Sequence, residues 1–164
     1  MEKEFRNITE VENKARYMRV RNGVTQQEFG KILGISKSYV SDIENGRIGL
    51  SIEHINIICN HYNVSFDYMF GFSSKINKNI IKIDKIDLKL LGTHLKEIRK
   101  ELGITQDKLA SKLNVSRPLI THYEKGIRTI STADLKGFCE LSGISADYLV
   151  GKLKYKLKIK TTEV

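Results

Sequence analysis

The stretch Thr25-Gln26-Gln-Glu28-Phe-Gly-Lys-Ile-Leu33-Gly34-Ile35-Ser36-Lys37-Ser38-Tyr-Val40-Ser41-Asp42-Ile43-Glu44-Asn45-Gly46 reads as two short helices around a tight turn. Thr25-x-x-Glu28 is a capping box, in which a hydroxyl and a carboxylate satisfy the first amides of a helix. Phe29, Ile32 and Leu33 recur at helical spacing and form its apolar face. Gly34 supplies the left-handed residue that closes a helix. Ser36 then caps a second helix, with Val40 and Ile43 inward, and Gly46 stops it.

Eighty residues on, the pattern returns as Thr105-Gln106…Leu113-Asn114-Val115-Ser116…Ile120…Tyr123-Glu124-Lys125-Gly126. The offset holds without a gap. It pairs Arg19 with Arg99, Ser51 with Ser131, Cys59 with Cys139, Ser65-x-Asp67-Tyr68 with Ser145-x-Asp147-Tyr148, and Gly71 with Gly151. A period of 80 is too long for a solenoid unit and implies two copies of one small domain. Each copy adds a first helix, a fourth capped by Ser51 or Ser131, and a short fifth capped by Ser65 or Ser145. In copy one a Thr9-Glu-Val-Glu12 capping box opens the first helix and Gly23 ends it. The sequence thus predicts an all-α protein of two tandem five-helix domains, residues 1–72 and 87–151. Residues 73–86 form a basic linker and residues 152–164 a lysine-rich tail.

Charge points to an acidic partner. The 164 residues carry 28 Lys+Arg against 19 Asp+Glu, a formal net charge of +9. Residues 1–72 are neutral, with 9 basic and 9 acidic side chains, so most of the excess lies in linker and tail. No apolar run approaches the roughly 18–20 residues a membrane span needs. The start of the chain lacks a basic and apolar leader, so a cytoplasmic, nucleoid-associated location is expected. Two cysteines, Cys59 and Cys139, are too few for a disulfide scaffold and read as buried thiols. His54, Cys59 and His61 make a poor metal set, because 59 and 61 do not share a helix face. No nucleophile elbow, phosphate-binding glycine loop or carboxylate pair supports an enzyme, and no cofactor is expected.

The duplicated helix pair resembles the phage-repressor (Cro/repressor, or Xre) helix-turn-helix family, and the closing Ser-x-Asp-Tyr-(Met/Leu)-x-Gly at Ser65 and Ser145 resembles that family's fifth helix. The resemblance covers roughly residues 10–71 and 88–151. Family members often carry Pro shortly after the Glu-x-Gly, where this chain has Leu50 and Ile130. The resemblance implies two lambda-repressor-like domains and a bacterial transcriptional regulator, a repressor occupying an operator in double-stranded DNA. It implies recognition helices at residues 36–45 and 116–125, whose leading ends enter the major groove.

Carried over residue by residue, the base-contacting candidates are Lys37, Ser38, Ser41 and Asp42 in copy one, and Arg117, Pro118, Thr121 and His122 in copy two. A guanidinium can take O6 and N7 of guanine together, which favours Arg117. The phosphate-contacting candidates are Gln26, Ser36, Asn45 and Arg47, then Gln106, Ser116, Lys125 and Arg128. Glu44 and Glu124 are expected to hold helices together rather than touch DNA. The bland alternative is that the groove-facing set is simply solvated helix surface. A second reading gives DNA to one copy and makes the other a protein-interaction or dimerisation module, antitoxin-like or antirepressor-responsive. A homodimer or a protein partner, held through one domain or the tail, stays open, and no membrane partner is expected.

The two recognition helices differ at nearly every groove-facing position, so binding by both favours a non-palindromic site. The linker could stretch to roughly 50 Å, against about 34 Å between adjacent major-groove faces. Lys152-Leu-Lys-Tyr-Lys-Leu-Lys-Ile-Lys160 alternates strictly. It is expected to form either a small β-ribbon, with the linker or a second chain, or an unfolded cationic tail.

Overall fold

The computed structural model describes residues 10–74 and 79–160. It divides into two compact units, Met1–Ile76 and Asn77–Val164. Among the described residues there are ten helices, five in each unit, and no strand. The first unit holds α1 (Glu10–Arg21), α2 (Gln26–Leu33), α3 (Lys37–Glu44), α4 (Ile52–Tyr62) and α5 (Phe66–Met69). The second holds α6 (Leu88–Glu101), α7 (Gln106–Leu113), α8 (Arg117–Glu124), α9 (Thr132–Ser142) and α10 (Ala146–Leu149).

The punctuation read from the sequence is present atom by atom. Glu28 N–H donates to Thr25 Oγ1 at 3.1 Å, and Thr25 N–H donates to Glu28 Oε2 at 2.7 Å. These bonds favour the carboxylate and hold the Glu28 pKa below its ordinary value. At Thr105 only the first half of the box survives, because Lys108 stands where a carboxylate would be. Gly34 closes α2 at φ +72°, and Asn114 closes α7 in the same left-handed region at φ +55°. Asn tolerates that region through its short polar side chain.

In the first unit Val11, Ala15, Phe29, Val40, Ile43, Ile55, Ile58 and Phe66 fill the core. In the second the core is Leu91, Leu95, Leu109, Ile120, Leu135, Phe138 and Leu149, with Ile86 and Leu153 added from the flanking segments. Leu50 and Ile130, where the resembled family often has Pro, are both buried. Cys59 and Cys139 are buried at matching positions.

The Thr9–Glu12 box expected at the start of α1 lies outside the described residues, since Thr9 precedes them. The Glu12 carboxylate is buried and accepts Leu50 N–H at 3.1 Å, which ties α1 to the loop before α4. Among the described residues the tail forms no ribbon with the linker. Ile144 and Lys158 make one isolated antiparallel bridge, with Ser145 N–H donating to Leu157 O and Ile159 N–H donating to Gly143 O. The linker meets the tail through a main-chain bond from Ile81 N–H to Lys152 O at 2.9 Å. The strict alternation fails because neighbouring Lys152 and Leu153 are both buried and the chain bends at Lys154–Tyr155.

Candidate nucleic-acid interface

Each recognition helix starts at a capping serine. Ser36 Oγ accepts Tyr39 N–H at 3.1 Å, and Ser116 Oγ accepts Leu119 N–H at 3.4 Å. The leading residues are uncovered: Ser36, Lys37 and Ser38 are exposed in α3, and Ser116, Arg117 and Pro118 in α8. Pro118 fits there because the first turn of a helix has no amide partner to lose. One turn on, Ser41, Asp42 and Thr121 are half-buried, and His122 is exposed.

Behind these ends lies a lock that is the same in both units. Arg19 Nε meets Glu44 Oε1 at 2.5 Å, and Arg99 Nε meets Glu124 Oε1 at 2.5 Å. The second nitrogens complete the fork at 3.1 and 3.2 Å. Each arginine also donates to a carbonyl in the next turn, Val24 O at 2.8 Å and Ile104 O at 3.0 Å. The side chains of Glu44 and Glu124 are 6% and 3% exposed. Bidentate geometry compensates the cost of burying the two charges, and removing one partner of such a pair typically costs about 3–5 kcal/mol. The lock therefore fixes the last turn of the recognition helix to the first helix of its unit.

Gln26 and Gln106 belong to the same lock. Gln26 Nε2 donates to Glu44 Oε2 at 2.7 Å, and Gln106 Nε2 donates to Glu124 Oε2 at 2.8 Å. In the second unit Thr121 Oγ1 also donates to Gln106 Oε1 at 3.2 Å, so that amide is engaged at both ends. What α2 and α7 present outward at their starts is then main-chain N–H and a partial positive charge.

The two faces diverge beyond the lock. In copy one, Arg47 Nη1 pairs with Asp42 Oδ1 at 3.0 Å, and Asn45 Nδ2 donates to Ser41 Oγ at 3.2 Å. Two base-contacting candidates are thereby bonded to two phosphate-contacting ones. In copy two, Lys125 and Arg128 are exposed and form no ion pair among the described residues. Arg117 meets Asp107 of α7 at 3.5 Å, with both side chains largely exposed. Asp107 had no role in the sequence reading; its place in the first turn after the capping Thr105 marked it as a neighbour of the recognition helix. Arg19 and Arg99 were matched by the repeat without a role, and their identity in two otherwise divergent copies was the available signal.

The seating of the recognition helix on the fourth helix of the unit differs too. Tyr123 Oη donates to Asp134 Oδ2 at 2.8 Å, and burial together with this carboxylate pushes the phenol pKa up. The matching positions in copy one are Ile43 and His54, and there the His54 ring meets Tyr39 of α3 edge-on with centroids 6.2 Å apart. Among the described residues no group of three His, Cys, Asp or Glu could hold a metal ion. No described helix is long and apolar enough to cross a membrane.

A helix-turn-helix family pattern matches residues 16–69 and again residues 95–149. The chain belongs to this family. As a helix-turn-helix protein it is similar to the HTH-type transcriptional regulator ImmR of Bacillus subtilis, at 38% identity over 43% of this chain and 56% of that one. It is also similar to the antitoxin PezA of Streptococcus pneumoniae, at 40% identity over 37% of this chain and 38% of the relative. A third relative, the HTH-type transcriptional regulator YqaE of Bacillus subtilis, is 34% identical over 37% of this chain and 53% of its own length. The matches span between 38% and 56% of the lengths of these relatives.

Proposed function

We propose that this helix-turn-helix protein is a sequence-specific DNA-binding regulator that represses by occupying an operator. One observation carries the reading: in both units the leading end of a serine-capped helix is exposed while its trailing end is locked by the same Arg–Glu–Gln bonds. Such an end can enter a major groove without rearrangement. In α8, Arg117 takes guanine O6 and N7, with Pro118, Thr121 and His122 along the same edge. In α3, Lys37 and Ser38 lead, with Ser41 and Asp42 behind them. Ser36, Ser116, Asn45, Arg47, Lys125 and Arg128 reach phosphates, and Gln26 and Gln106 contribute main-chain N–H at the starts of α2 and α7. The setting is the cytoplasm, on the nucleoid.

Selection of bound duplexes from a random pool tests this. The expected product is a site with two unlike halves and no palindrome. Failure to enrich any sequence would remove the proposal.

A second reading has its own observation. On α1, Tyr17 and Val20 are 50% and 58% exposed, where the matching positions of α6 are Glu97 and Lys100. An apolar pair in a copy of zero net charge suits a protein contact, as does the likeness to an antitoxin. In this reading copy two alone reads DNA, and the pool yields one short half-site.

A further inference from the structure

Most of the tail is attached rather than trailing. Leu153 is buried, and Leu157 and Ile159 are half-buried. Main-chain bonds fix residues 152, 157 and 159 to residues 81, 145 and 143 of the second unit. Asn79 Nδ2 adds a bond to Tyr155 Oη at 3.1 Å. Lys154, Lys156, Lys158 and Lys160 are exposed along this segment. A lysine run is ordinarily a solvated surface, but here the backbone that carries it is held in place.

The attachment also sets where the lysines stand. Lys156 Nζ donates to Glu101 Oε1, at the last residue of α6. Glu101 is separated from Thr105, the cap of α7, by Leu102, Gly103 and Ile104. Four residues of extended chain reach at most about 13 Å, or roughly four base pairs of duplex at 3.4 Å each. The carboxylates that act on Lys156 are Glu101, which it pairs with, and Glu97. Lys154, Lys158 and Lys160 form no ion pair among the described residues. Copy one has no counterpart, since Phe72 stands at the position of Lys152 and the chain passes on into the linker.

We infer that Lys154, Lys158 and Lys160 form a second, sequence-independent phosphate clamp that flanks the start of α7 and extends the DNA contact of copy two. Lys156 positions the row by neutralising Glu101. The inference rests on the DNA-binding reading above. Each phosphate neutralised releases condensed counterions, so each lysine adds about 0.9 to the slope of log affinity against log salt.

The test compares the full chain with a variant carrying Lys154→Gln, Lys158→Gln and Lys160→Gln. Both are titrated onto a duplex of arbitrary sequence and onto a pool-selected duplex from low to high salt. The substitutions lie at exposed positions, and circular dichroism verifies that both proteins are folded to the same extent. The expected result is a slope shallower by about 1.8–2.7 on both duplexes, as two to three lost phosphate contacts require. A second variant, Lys158→Glu with Lys160→Glu, is expected to weaken both duplexes further at low salt. If the unsubstituted chain binds both duplexes and the slope does not move, the clamp is wrong and the DNA reading stands. If the unsubstituted chain binds neither, both fall. Loss of sedimentation with anionic phospholipid vesicles, with an unaltered DNA slope, also overturns the clamp.

Discussion

Arg117 stands 61% exposed in the first turn of α8, with Asp107 at 3.5 Å. An exposed pair of this kind is worth little in water, so releasing the carboxylate for the proposed guanine contact costs little. Arg117→Ala should therefore weaken operator binding by about 1–3 kcal/mol and relax base choice at one position, read by competition with single-base variants of the site. Lys37→Ala should do the same at a different position if copy one reads DNA, and nothing if it does not. His54 makes a different prediction. Its Nδ1 is buried without a hydrogen-bond partner, and burial lowers its pKa from the usual 6.5. The unfolded chain thus takes up the proton first as the pH drops. The stability contributed by neutral His54 is complete above about 6.5 and is lost as the pH falls through the lowered folded value. Urea unfolding at pH 7.5 and 5.5 should show the first unit weakened at the lower pH, with a smaller difference in His54→Gln.

Among the elements, the close approach of α6 to α8 separates the two copies most clearly. A Cβ on Gly92 would lie 2.5 Å from the carbonyl oxygens of both Tyr123 and Glu124 at the end of α8. The matching position in copy one is Glu12, which turns its carboxylate toward Leu50 N–H instead. Gly92→Ala should force α6 from α8 and cost about 1–3 kcal/mol, measured as a shift in the urea midpoint, whereas Glu12→Gly in copy one relieves no such crowding. The helices themselves were legible because caps and stops are local. Ser36, Ser51, Ser65, Ser116, Ser131 and Ser145 each cap the helix that the sequence assigned to them. What was not legible depends on distant partners. Gln26 and Gln106 turn toward carboxylates 18 residues away, a choice set by packing and not by spacing. Glu12 likewise holds Leu50 N–H across 38 residues of sequence, a bond that no local spacing announces. The tail alternates in sequence, but burial of both Lys152 and Leu153 breaks the period at its first step.

For the whole molecule, duplication separates holding from reading. The Arg–Glu–Gln lock is repeated at an offset of 80, while the outward residues of α3 and α8 share almost nothing. Linked readers of unlike sequence gain from a high local concentration at an asymmetric site and gain nothing at a palindrome. The Arg19–Glu44–Gln26 lock touches none of the proposed base contacts Lys37, Ser38, Ser41 and Asp42, so exchanging them leaves the lock in place while releasing Asn45 and Arg47 from Ser41 and Asp42. If both copies read DNA as proposed, the fourfold exchange Lys37→Arg, Ser38→Pro, Ser41→Thr and Asp42→His should recode the preferred operator from two different words into the same word said twice, read by repeating the pool selection.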